Sequence, residues 1–286
     1  MTDIASTFSC EGETLIAITS VPGAGEVPLQ LGVLVVVGGP QYRVGAHRQF
    51  ALLARALATE GIPCMRFDFR GMGDATGAPS SFDASDSDIA AAVDHFMAQL
   101  PGLDGVVLWG LCDGATAASL YGTRDDRIKG LVLLNPWVRS EAGHAKTMLK
   151  HYYLQRLVSP AFWRKLFSAR VNPFASLMEL LGTARKSRRA DGPVDSPDTQ
   201  KPWLERMREA LSAPDMPILI VLSGRDYVAN EFDELLQSDR GWRSCFERPN
   251  CTFERLTECD HTFSNAIARD QVAALTARWV TDRLQA

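Results

Sequence analysis

The chain predicts an α/β fold built on a mostly parallel, doubly wound sheet, and three observations predict it. Apolar runs of strand length recur along the sequence. Amphipathic segments of helical period separate them, and glycine-containing turns end several of the runs. With 286 residues, 46% hydrophobic and 22% charged, the chain can bury one large core and still carry an insertion. The net charge of −4 gives no electrostatic case for a nucleic-acid partner.

Thr7–Cys10 and Thr14–Thr19 read as an antiparallel start, broken by Val21-Pro22-Gly23. Gly32–Val37 is a continuous apolar run, as a strand buried on both faces requires, and it ends in Gly38-Gly39-Pro40. A helix over about Arg48–Glu60 leads to a strand at Pro63–Asp68 and a glycine-rich loop, Arg70–Asp74. A helix over Asp86–Leu100 precedes the strand Val106–Trp109, and another apolar strand covers Ile128–Asn135. The rhythm then stops from Trp137 to about Ala213 and resumes at Pro217–Ser223, Thr252–Thr257 and a last helix, Ala266–Leu284. This divides the chain into a first core part, 1–136, an inserted helical lid, 137–213, after the sixth core strand, and a second core part, 214–286.

The N-terminal segment lacks a basic stretch followed by an apolar run, and no segment reaches the length of a membrane span. The six cysteines form no CxxC pair and no regular framework. They read as reduced thiols in the cytoplasm, without zinc. Arg70–Asp74 contains GxG but not the spacing of a dinucleotide fingerprint, so no cofactor is expected.

The chemistry concentrates at Gly110-Leu111-Cys112-Asp113-Gly114. A strand precedes it and a small-residue helix comes after, the pattern of a nucleophile elbow with cysteine at the turn. The turn residue sits at a helix N-terminus, where free N–H groups and the helix dipole favour a thiolate and later an oxyanion. The candidate base is His261 and the candidate acid is Asp226, each just past a predicted strand. The order nucleophile, acid, histidine is that of the α/β-hydrolase fold. Asp226 also reads as a turn or N-cap residue, Asp233 is a weaker rival for the acid, and Asp260 reads as holding the His261 loop. The oxyanion donors are expected to be the N–H groups of Asp113 and Gly39, since Pro40 has none. Arg43 and His47 lie near the same edge and are candidates for binding an anionic substrate group, or are solvated loop charges. His95, His144 and His151 read as structural. A cysteine acyl-enzyme is a thioester, which favours ester, lactone or thioester substrates and leaves hydrolysis and transfer to another acceptor both open; the elbow cysteine also admits a non-catalytic binding protein on the same fold.

Beyond the elbow, three phrases carry a family resemblance: Val37–Gly45, Arg66–Asp74 and Leu134–Arg139. With the lid phrases Lys150–Leu157 and Ser159–Lys165, they resemble the exosortase A system-associated hydrolase 1 family of α/β hydrolases. The resemblance implies an α/β-hydrolase fold, an elbow cysteine matching Cys112, and a link to exopolysaccharide production and exosortase-dependent sorting. It implies no established substrate; the acyl chemistry itself points to a small-molecule or lipid-linked acyl substrate as the partner. Val37 departs from the wider superfamily, where histidine often precedes the oxyanion glycines. The basic-aromatic stretch Phe162–Phe167 reads as an amphipathic lid helix packed on the core, or as a peripheral membrane contact.

Overall fold

The computed structural model describes residues 1–24, 28–39, 41–138, 201–213 and 215–284. The lid expected from the sequence falls mostly on 139–200, outside the described residues. The core unit comprises Met1–Val138 with Pro202–Ala286.

Eight strands form one sheet in the order β1-β2-β4-β3-β5-β6-β7-β8. They are β1 (Thr2–Cys10), β2 (Glu13–Val21), β3 (Leu31–Val36), β4 (Cys64–Phe67), β5 (Gly105–Leu111), β6 (Ile128–Leu134), β7 (Ile218–Ser223) and β8 (Cys251–Leu256). β1 pairs with β2 and β2 with β4 antiparallel; every other neighbouring pair is parallel. The β1–β2 turn is Glu11-Gly12, both at positive φ, as a two-residue hairpin requires.

Every residue of β3, β4, β5 and β7 is buried, as expected of strands covered by helices on both faces. On one face, α1 (Gln49–Thr59) packs against the C-terminal α7 (Ala266–Leu284). Trp109 of β5 meets this face, with its ring edge-on to Phe50 and its indole N–H donating to Thr276 Oγ1 at 3.3 Å. On the other face lie α2 (Asp86–Gln99), α3 (Asp113–Gly122) and α4 (Trp203–Leu211), with α3 touching both neighbours. The core thus resumes at Pro202, ahead of the 214 boundary read from the sequence. Trp203 stands edge-on to Phe82, and Met207 and Leu211 are buried. Between β7 and β8 run α5 (Tyr227–Ser238) and the short α6 (Arg240–Ser244). Among the described residues, no helix is long and apolar enough to cross a membrane.

Candidate active site

β5 delivers the chain to Cys112, whose backbone is at φ 59°, ψ −124°, and α3 begins at the next residue. Such a conformation in a non-glycine residue costs on the order of 1–3 kcal/mol and persists only where the surroundings dictate it. Here they do. The Cys112 N–H donates to Leu134 O at 2.9 Å, and its carbonyl accepts from the N–H groups of Ala115 (3.0 Å) and Trp137 (3.2 Å). The flanking glycines make the turn possible. A Cβ on Gly110 would stand 2.4 Å from Gly114 O, and one on Gly114 would stand 2.4 Å from Val36 O. Both obstacles are backbone and have nowhere to go.

The other two residues of the proposed triad arrive from the ends of β7 and β8. Asp226 is the N-cap of α5, where its carboxylate accepts from the N–H groups of Val228 (3.2 Å) and Ala229 (3.1 Å). The same carboxylate meets His261 Nδ1 at 2.8 Å, so the side chain that caps α5 is also the partner of His261. The Cys112 thiol lies close enough to the His261 ring to act on its titration. The bond to Asp226, then the nearby Cys112, push the imidazole up to about 10 against the opposing effect of burial. A protonated ring is the counter-ion a thiolate nucleophile requires.

Asn135 joins these parts, and its sequence position alone suggests no role. It is fully buried and sits at φ 44°, just past β6. Its Oδ1 accepts from the Ser223 N–H at 2.9 Å, and its Nδ2 donates to the His261 carbonyl at 3.1 Å. It therefore ties the end of β7 to the loop that carries the base. The one signal in the sequence is a polar residue ending an otherwise apolar strand directly before proline.

Of the two expected oxyanion donors, the Gly39 N–H is occupied by Asp113, and so is the neighbouring Gly114 N–H. The Gly39 N–H donates to Asp113 Oδ2 at 2.7 Å, and the Gly114 N–H to Asp113 Oδ1 at 3.1 Å. Burial pushes the Asp113 carboxyl above its ordinary value, while the N–H groups of Gly39, Asp113 itself and Gly114 act in the opposite direction. Beside it opens a cavity of about 180 Å³, with Phe69, Met72, Phe82 and Ser81 in its walls together with Gly39 and Asp113.

Arg43 forms an ion pair with the buried Asp68, and its Nη2 lies 2.7 Å from Asp74. The Arg43 N–H adds a 2.6 Å bond to Asp68. Its terminal nitrogens thus fasten the loop after β3. His47 is exposed, at φ 52°. Hydrogen bonds from Ser264 hold the Asp260 carboxyl low, and the charge of His47 adds to that effect. The Ser264 N–H reaches Asp260 at 2.9 Å within the base loop. Asp233 bonds Arg255 and Gln237. His95 bonds Ser6 Oγ at 2.8 Å and stacks on Phe8. His144 and His151 lie outside the described residues. Among the described residues, no group of three or more His, Cys, Asp or Glu side chains could hold a metal ion.

Residues 32–237 match the family described as Serine aminopeptidase, S33. The chain belongs to that family of α/β hydrolases. This hydrolase also resembles solved structures at the level of fold. The Pyrococcus furiosus esterase Pf2001 superposes with a TM-score of 0.65 at 14% identity, over 99% of this chain and 91% of that one. XC6422 from Xanthomonas campestris, described as an α/β serine hydrolase without lid, gives 0.57 at 16% identity, over 98% and 95%. The esterase domain of a Rhodothermus marinus protein gives 0.59 at 16% identity, over 98% of each chain. No curated protein matches the sequence.

Proposed function

We propose that this hydrolase cleaves an ester or thioester through a covalent acyl-enzyme on Cys112. The observation that carries the reading is the 2.8 Å bond between Asp226 and His261 Nδ1, with Cys112 near enough to act on that ring and held at a strained elbow. The Cys112 thiolate attacks the acyl carbonyl, the C–S bond forms, and the π electrons move to oxygen. Backbone N–H groups of Gly39 and Asp113 stabilise that oxyanion. The intermediate collapses, and His261 gives its proton to the departing alcohol or thiol. The now neutral His261 takes a proton from water, whose oxygen attacks the thioester; collapse releases the acid and the thiolate, and the proton on His261 restores the resting pair.

The family name describes serine enzymes, and cysteine at the elbow is the point of difference. A thiolate is a good leaving group from the tetrahedral intermediate, which favours activated acyl donors over peptide amides. On the resemblance to the exosortase-associated hydrolases, the acyl donor belongs to exopolysaccharide and exosortase-dependent systems, and the enzyme works in the cytoplasm.

Intact-mass measurement after exposure to a panel of acyl thioesters and activated esters tests this reading. An added acyl mass is expected on the wild type and not on Cys112→Ala, with turnover falling by a factor of about 10³ or more. Full turnover by Cys112→Ala would remove the cysteine from the mechanism. Offering water alone, or water with an alcohol or amine acceptor, separates hydrolysis from acyl transfer in the same experiment.

A further inference from the structure

One of the two donors expected to receive a substrate oxyanion, the Gly39 N–H, holds a carboxylate from the protein itself. Asp113 Oδ2 takes the Gly39 N–H at 2.7 Å and Oδ1 takes the neighbouring Gly114 N–H at 3.1 Å. The close approach is built into the backbone. A Cβ on Gly38 would lie 2.2 Å from Asp113 Oδ1, so any other residue at that position would evict the carboxylate. This arrangement opposes acylation of Cys112. An oxyanion cannot share these N–H groups with a carboxylate, because two like charges in one partly dry site repel.

The open space beside the carboxylate is the cavity of about 180 Å³ whose walls include Phe69, Met72, Phe82 and Ala117. Those walls are more apolar than polar, and three serines lie in them. Ser85 Oγ donates to Phe82 O at 2.9 Å and Ser81 Oγ donates to Asp83 at 2.5 Å, which leaves the Ser80 hydroxyl as the uncommitted donor among the described residues there. A carboxylate pushed off its N–H partners into such surroundings exchanges two charge-assisted bonds for at most the Ser80 hydroxyl among the lining side chains. A bound acyl group in the same cavity can supply the missing partner.

We infer that Asp113 is a specificity-determining residue: its carboxylate holds the oxyanion site in the free enzyme and yields it to acyl groups that carry their own hydrogen-bond donor. The favoured substrates are acyl donors with a hydroxyl or ammonium near the carbonyl. The donor engages the displaced carboxylate while the carbonyl oxygen takes over the N–H groups of Gly39 and Asp113. A plain alkanoyl group of the same length fits the cavity but brings the carboxylate no donor of its own. This rests on Cys112 being the acylated nucleophile.

The test compares butanoyl, 3-hydroxybutanoyl and 3-aminobutanoyl thioesters of N-acetylcysteamine with the wild type, Asp113→Asn and Asp113→Ala. Both kcat/KM and the acyl mass on Cys112 are read, and melting temperatures confirm folding. The wild type is expected to favour the hydroxy and amino substrates over butanoyl by about tenfold or more, the scale set by one buried charged group losing its partner. Removing the charge is expected to raise the butanoyl rate and shrink that preference, in Asp113→Ala most and in the closer isostere Asp113→Asn less. A wild type without preference, or variants that keep the preference or lose butanoyl activity, overturns the role of Asp113 while acylated Cys112 leaves the nucleophile standing. If no thioester acylates Cys112 in any form, the cysteine mechanism falls and this inference with it.

Discussion

The proposed nucleophile, Cys112, and its proposed base, His261, are held in place by different means. At the elbow, backbone packs on backbone: Gly110 and Gly114 admit contacts that no side chain could share, and Cys112 is strained into position between them. On the acid–base side, side chains do the holding. Asp226 caps α5 while it grips His261, and Asn135 reaches from β6 to both β7 and the His261 loop. Steric exclusion has no graded response, whereas hydrogen bonds can be weakened one at a time. The elbow should therefore fail as a whole and the acid–base side by degrees.

The sharpest way to break this contrast is Gly110→Ala. The added methyl meets Gly114 O at 2.4 Å, an obstacle that cannot rotate away. Urea unfolding should show a loss of about 3 kcal/mol or more, the upper range for forced overpacking. A loss below about 1 kcal/mol would mean that the elbow yields like ordinary packing.

Next in size is Asn135. Asn135→Leu strands the buried Ser223 N–H and frees the His261 carbonyl, so a loss of about 1–3 kcal/mol is expected. Asn135→Asp keeps an acceptor for Ser223 and loses the donor to His261. It should retain more of the stability yet lower kcat with KM little changed, a split that a purely structural role would not produce.

The smallest effect is a pH dependence. The His261 pKa is raised from 6.5 to about 10 in the fold, so the native state holds the extra proton between those values. Its contribution is complete below 6.5, shrinks as pH rises, and is gone once pH passes about 10. The ring is 33% exposed, so solvent screening keeps this contribution modest. Asp226→Asn should lower the pKa and flatten the decline in melting temperature across that window. An unchanged slope would show that Asp226 does not hold the proton on His261.

The same contrast explains what could be read in advance. Glycine spacing announced the elbow because its sterics are local to five residues, Gly110–Gly114. The fully apolar runs announced the central strands for the same reason. β1 is an edge strand with alternating exposure, so its true start at Thr2 lies five residues before the apolar signal becomes clear at Thr7. The amphipathic α4 resembles the preceding basic-aromatic stretch in composition, which hid the core's return at Pro202. Asn135 was invisible as a bridge because both its partners, Ser223 and His261, are remote in the chain. The occupation of the Gly39 N–H by Asp113 was hidden likewise, since the two lie on different βα turns.

Asp226 carries a consequence for anyone wishing to redesign the enzyme. Its carboxylate begins a twelve-residue helix and at the same time aims the base, so selection for a folded chain alone would preserve it. Drift toward a silent relative should begin at Cys112 or His261 and leave the aspartate as a fossil of the site. New chemistry should be introduced in that order too: exchange the nucleophile, retune the ring, and keep the residue that serves the architecture as well as the reaction.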